Sequence, residues 1–326
     1  LRTAGAAGAL ASLTRLGSAQ TREQTMPAAN DLPDVLETTE PERLATGFIF
    51  TEGPLWHPDG YWYFVDLRRN QLLRMIPGKA PEVVRTTDGG NGTTFDLQGR
   101  LILCEGDGRR VTRMGEDGKV EPVAERYKGG RFNRPNDVVC HSNGALYFTD
   151  PDKRRAYHER EIPGPAGEDN LWDGAAVYRV APDGSIGVLA HCEYPNGLAL
   201  SVDERIMYVA NTRSSKYIHA IRLDAAGNMV GRGIFADMNE GTEPGIPDGL
   251  KVDSSGRVYC TGPGGIWVFA PDGKRLGIVR WPEQAVNFAF GGPDLRTMFC
   301  CAYTSVYTLR VKVPGNPHPW YKLRAK

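Results

Sequence analysis

No excess of charge marks this chain: 39 lysines and arginines stand against 39 aspartates and glutamates. Nucleic-acid binding rests on clustered basic side chains, so that class of partner is not expected. No run approaches the roughly 18 apolar residues that a membrane-crossing helix needs, so no membrane span is expected. The six cysteines (Cys104, Cys140, Cys192, Cys260, Cys300, Cys301) form no CxxC pair and no close cysteine–histidine cluster. In a chain this long they read as neither a disulfide scaffold nor a structural zinc site, although one or two disulfides stay open. Most lie in apolar runs, where a thiol behaves as a small hydrophobe. HExxH, GxSxG and P-loop motifs are all missing, the six histidines are scattered, and Gly262-Pro263-Gly264-Gly265 is a turn. No nucleotide or redox cofactor follows from such a sequence. Long amphipathic helices are missing too, and 39 glycines with 23 prolines imply frequent turns.

The first residues stand apart. Residues 1–20 carry Arg2, an Ala/Gly/Leu stretch and the small-residue pattern Gly17-Ser18-Ala19. This reads as the tail of an export signal, of twin-arginine rather than general secretory type. Residues 1–34 are therefore expected to be a partial signal peptide and disordered leader, and 35–326 a single domain. The expected location is periplasmic or secreted. The cytoplasm is the alternative if the stretch is only an Ala-rich extension.

What the chain does have is repetition. Six polar turns each introduce a short β-rich run: Asp59-Gly60 before Tyr61-Trp-Tyr-Phe-Val65, Gln98-Gly99 before Leu101-Ile-Leu-Cys104, and Asn143-Gly144 before Ala145-Leu-Tyr-Phe148. Asp203-Glu204, Ser255-Gly256 and Asp294-Leu295 do the same for runs ending at Val209, Cys260 and Cys300. Asn-Gly and Asp-Gly between apolar runs favour tight hairpins because both residues tolerate positive φ. The period, roughly 40 to 60 residues, fits units of several antiparallel strands. One small sheet cannot bury both faces alone, whereas a ring of six can. The expected fold is all-β, a six-bladed β-propeller, and a β-sandwich has no reason to repeat at this period.

Seven residues before each turn stands an acid or an amide: Glu52, Asn91, Asn136, Asn196, Asp248 and Asn287. Each is expected at the start of a blade's innermost strand, where equivalent positions meet at one end of the central channel. Local turns and a water-filled polar channel would use the same residue types. Two carboxylates on one axis, however, repel unless a cation or proton intervenes. Carboxylate and amide oxygens without thiolate or imidazole suit one divalent metal cation, calcium first, with Mg²⁺, Mn²⁺ or Zn²⁺ as alternatives. Arg134 lies two residues from Asn136 and offers a guanidinium to a polyol or carboxylate, or simply a surface salt bridge. His57 and His141 lie five residues past their ring positions and are expected away from that mouth. The long gap from Pro151 to Ala175 reads as a lid or specificity loop.

The sequence resembles the senescence marker protein / gluconolactonase / luciferin-regenerating enzyme family of six-bladed propellers. The resemblance rests on Thr51-Glu-Gly-Pro-Leu-Trp56, Asn133-Arg-Pro-Asn-Asp-Val138, Leu146-Tyr-Phe-Thr-Asp-Pro151, Tyr194-Pro-Asn-Gly-Leu198, Pro247-Asp-Gly-Leu250 and Phe290-Gly-Gly-Pro-Asp-Leu-Arg-Thr297. It implies one divalent cation held by Glu52, Asn196 and Asp248, with Asn136 as a ligand or substrate contact, and Arg134 and Asn136 touching substrate oxygens. Asn91 and Asp137 are taken with them as substrate contacts, Asp137 through orienting a neighbour. Thr93-Thr94 departs from the aliphatic residue of many relatives, so blade two is expected to pack differently. The implied activity is metal-dependent hydrolysis of a cyclic ester, a small-molecule sugar-acid lactone, with the cation as Lewis acid on the carbonyl. Asp248 is the candidate general base and a water held by the cation the alternative nucleophile. Phosphotriester hydrolysis and a non-catalytic ligand-binding propeller are the competing readings.

Overall fold

The structure, a computed structural model, describes residues 30–151, 175–213, 215–240 and 243–324. The expected export signal and almost all of the expected lid lie outside the described residues. Among the described residues, six four-stranded antiparallel sheets form the blades, beside one small hairpin of Arg126–Tyr127 with Gly130–Arg131, and in five of the blades the strands follow one another from the axis outward. Blade one runs Thr51–His57, Tyr61–Asp66, Gln71–Met75 and Glu82–Thr86. The inner strands of blades two to five are Gly90–Phe95, Val138–Cys140, Pro195–Leu200 and Leu250–Val252. Blade six takes three strands from the end of the chain, Ala285–Gly291, Thr297–Ala302 and Ser305–Arg310. Its outermost strand is Glu42–Thr46, paired antiparallel with Ser305–Arg310, which shuts the ring.

The first hairpin of every blade shows why the six turns aligned. The second turn residue has positive φ in all of them: Gly60, Gly99, Gly144 and Gly256, and, without a glycine, Glu204 and Leu295. The turn geometry persists where the residue type does not, so those two positions carry the strain that glycine avoids elsewhere.

Apolar clusters fill the junctions between blades. Between blades six and one, Trp62 stacks on Phe299 at 4.5 Å, with Trp56, Phe64 and Cys301 buried around them. Between blades two and three, Phe132, Phe148 and Tyr178 pack with Cys104 and Cys140. All six cysteines are free and buried, most within these clusters, as their apolar neighbourhoods suggested. Thr93 and Thr94 of blade two do pack by hydrogen bonding: Thr93 Oγ1 donates to Gly53 O at 2.7 Å, and Thr94 Oγ1 meets His318 Nε2 at 3.2 Å.

One boundary needs correction. The segment 30–34, expected within the disordered leader, is packed on blade five. The Asn30 amide spans Thr39 O and Arg280 O, its Oδ1 accepts from Arg280 N at 2.6 Å, and Leu32 joins the core between blades five and six. The domain therefore begins by Asn30, because short polar and apolar contacts there give the chain a surface to bury against.

The channel has two unlike ends. Beyond the inner strands' C-terminal ends, the segment after Pro314 crosses the axis and ends in the helix Pro319–Arg324. Ser254 N donates to Pro314 O, Gly315 N to Leu295 O and Asn316 N to Val252 O, which ties this segment to blades five and six. Trp320 packs on Phe95 at 4.7 Å and on His57 at 5.3 Å, and the Tyr321 hydroxyl donates to Trp56 O. A cavity of about 150 Å³ remains beneath it. The inner strands' N-terminal ends surround the larger cavity, about 630 Å³.

Candidate active site at the open mouth

The ring positions reach the channel axis through a repeated backbone device. In blades one, two, four and six the ladder between the first two strands slips at the ring position. A bulge re-aims a side chain that strand alternation would send to one sheet face. A glycine follows in four blades because neighbouring inner strands touch there: a Cβ on Gly53 would lie 2.1 Å from Asn91 O, and one on Gly197 2.0 Å from Asp248 O. Backbone bonds close the same contacts, Gly92 N to Asn136 O at 2.7 Å and Gly197 N to Asp248 O at 3.0 Å.

Five of the six ring residues, Glu52, Asn91, Asn136, Asn196 and Asp248, line the large cavity together with Arg134. The expected convergence of Glu52, Asn196 and Asp248 on one cavity is thus observed. The sixth, Asn287, is absent from the lining. Its Oδ1 accepts from its own following Phe288 N at 2.8 Å, and its Nδ2 donates to Glu52 Oε2 at 2.9 Å, so it supports the ring from below. Asp137, expected to act by orienting a neighbour, does not line the cavity either. It is buried at 3% exposure outside the cavity lining, Oδ1 accepts from Val138 N at 2.9 Å, and Lys251 Nζ lies 3.8 Å from Oδ2. Its place in the chain, where four blades have glycine, turns it into the channel interior. His57 and His141 stay away from the mouth: His57 stacks on Tyr61 at 4.4 Å, and His141 Nδ1 lies 3.3 Å from Glu204.

The donor set is decided by hydrogen bonding. Thr212 Oγ1 donates to Pro247 O at 2.6 Å, so it can only accept from Asn196 Nδ2 at 2.9 Å. That fixes the Asn196 amide with Oδ1 buried and without a hydrogen-bond partner, and Asn91 Oδ1 is in the same condition. Glu52 takes both Gly53 N–H and Asn287 on Oε2, leaving Oε1 without a hydrogen bond among the described residues. Buried acceptors left without a donor are costly unless something positive meets them. Burial first, and the nearby Asp137 charge after it, push the Glu52 carboxyl up to about 7, against the pull of Gly53 N–H, Asn287 and Lys251. Among the described residues no three acidic, His or Cys side chains cluster as metal ligands; the set is Glu52 and Asp248 with amide oxygens. It is an all-oxygen set, which suits a hard divalent cation.

Arg134 forms the mouth's basic wall. Asp150, at the end of its own second strand, takes Asn133 N and Arg134 N at 2.8 and 2.7 Å and so fixes the loop, while the guanidinium pairs with Asp107. Asp66 and Asn211 play the Asp150 part in blades one and four, taking Ile49 N and Phe50 N, and Tyr194 N. These acids and amides went unnoticed in the sequence, although each ends the apolar run that follows a repeat turn. Thr212, Asp107, Lys251 and Arg68 were missed as well, since none recurs from blade to blade.

The sequence matches the family described as the SMP-30/Gluconolactonase/LRE-like region over residues 50–304, most of the chain. The chain belongs to this family. Among its relatives, the gluconolactonase of Zymomonas mobilis is 29% identical, over 94% of this chain and 93% of that protein. The pentonolactonase of Haloferax volcanii is 28% identical, over 76% of this chain and 79% of that protein. A solved gluconolactonase structure from Xanthomonas campestris superposes with a TM-score of 0.77 at 31% identity, covering 87% of this chain and 94% of that one. The family's fold is the six-bladed propeller found here, and the stretches that carried the resemblance hold the cavity residues Glu52, Arg134, Asn136, Asn196 and Asp248.

Proposed function

We propose that this protein is a lactonase that opens sugar lactones and requires one divalent cation at the open mouth. The gluconolactonase and pentonolactonase relatives support the substrate class. The observation that carries the metal is the group of buried oxygens lacking a hydrogen-bond partner, Asn91 Oδ1 and Asn196 Oδ1, beside the ionisable Glu52. Glu52, Asn196 and Asp248 would hold the cation, with Asn136 beside them. When bound, the cation supplies Lewis-acid polarisation of the lactone carbonyl oxygen.

The chain's own groups do the remaining work. Asp248, pinned through its backbone by Thr261 Oγ1 and Gly197 N–H, is the general base that takes a proton from the attacking water. Arg134, steadied by Asp107, and the amides of Asn136 and Asn91 offer donors to the hydroxyls of the ring, which orients it for attack. The 630 Å³ of the cavity accommodates a five- or six-membered sugar lactone with water.

The test is acid release from a panel of aldonolactones, aromatic lactones and phosphotriesters, with and without chelator. Lactone turnover that stops on chelation and returns with Ca²⁺, Mg²⁺, Mn²⁺ or Zn²⁺ is expected. Turnover of phosphotriesters alone, or of nothing with the cation bound, would replace this reading with one of its competitors. Asp248→Asn is expected to keep the fold and lose most activity; unchanged turnover would remove it from the mechanism.

A further inference from the structure

Below the open mouth lies a polar group that the hydrolytic reading does not use: buried Asn287 and Asp137 with half-buried Lys251. Lys251 also lines the smaller cavity on the far side. Its ammonium donates to Leu250 O at 3.0 Å, meets Asn287 Oδ1 at 3.4 Å and lies 3.8 Å from Asp137 Oδ2. An amide can present either end to a neighbour. Here Phe288 N–H and the Lys251 ammonium both claim Asn287 Oδ1, so only Nδ2 is left for Glu52. The flipped amide would set two oxygens against each other and aim its NH₂ at a cation. In the observed orientation Asn287 Nδ2 joins Gly53 N–H on Glu52 Oε2, which keeps Oε1 for the mouth.

We propose that Lys251 is a positioning residue for the metal site, acting through Asn287 on the carboxylate of Glu52. This rests on the metal-dependent reading above. Groups that orient metal ligands in this way typically change affinity by about 10- to 100-fold when removed. The bland alternative is that Lys251 only offsets the buried charge of Asp137.

The two separate in calcium affinity measured by calorimetry on the metal-stripped full chain. Asp137→Asn removes the Asp137 charge that Lys251 would offset, so in this reference Lys251→Met strands no carboxylate at position 137. In that background Lys251→Met is expected to weaken Ca²⁺ binding by about tenfold. With Asn287→Leu also present, Lys251→Met should add nothing, since the link is gone. Equal Ca²⁺ affinity with and without Lys251 in the Asp137→Asn background would overturn the proposal while leaving the metal site intact. A further tenfold loss on the Asn287→Leu background would equally overturn the route through Asn287. Wild-type protein that binds no divalent cation would overturn the metal site itself, and this role with it.

Discussion

The two ends of one channel differ in what they leave unsatisfied. At the open mouth, Asn91 Oδ1 and Asn196 Oδ1 are buried without partners, and burial raises the Glu52 carboxyl. At the closed mouth, the segment after Pro314 gives the inner strands of blades one and two partners: rings for Phe95 and His57, a hydroxyl for Trp56 O, an imidazole for Thr94. The same six strands supply both. One end therefore spends stability on polar groups poised for a ligand, while the other recovers it by packing, the usual division between function and fold.

Substitutions should separate the two ends. The largest effect is expected from Glu52→Gln: turnover falls by at least about 100-fold. Stability of the metal-free protein at pH 8, read by urea unfolding, should rise, because a buried charge has been removed. A destabilised Glu52→Gln protein would mean that the open mouth is not a site of stored cost. Trp320→Ala at the closed end should do the reverse, losing about 3 kcal/mol of unfolding free energy with turnover within about twofold. A large loss of activity there would show that the ends are coupled.

The pH dependence sharpens the contrast further. Glu52 binds its proton more tightly in the folded metal-free chain than in the unfolded one. Its contribution is therefore full below about 4.5 and is lost as pH rises through about 7. Burial lowers His318 to about 3, so the unfolded chain takes up that proton first. Stability from His318 is full above about 6.5 and is lost as pH falls toward 3. Unfolding of the metal-free protein from pH 4 to 8 should thus show a falling limb absent from Glu52→Gln and a rising limb absent from His318→Gln. Smallest of all, Asp107→Asn should raise KM by about two- to fivefold with kcat unchanged, because the Asp107–Arg134 pair is partly exposed.

Much of this was legible in the residues. Turn chemistry repeats with the blades, so the six hairpins could be aligned even where Glu204 and Leu295 replace glycine. The ring could be counted back from those turns because its offset follows from strand length. Asn287 and Asp137 escaped because a one-residue change in local bonding decides whether a side chain faces the mouth or the interior, and periodicity carries no such information. Asn287 spends its oxygen on Phe288 N–H; Asp137 occupies a slot that is glycine in four other blades. The closing tail escaped for a different reason. It occurs once, and a segment without a repeat is recognised only from what it covers.

Blade six has a consequence in time as well as in space. The Ser305 hydroxyl meets the Thr46 hydroxyl at 2.9 Å across 259 residues of chain. Pairing so distant is slow to form, and nothing can stand in for the missing strand while the chain is still being synthesised. The first four strands after residue 50 can assemble early, but the circle stays open until Ser305–Arg310 has emerged to pair with Glu42–Thr46. Until then blades one and six each expose a bare flank, so a stalled or truncated chain should be recognised by chaperones and proteases rather than persist as a partly working enzyme.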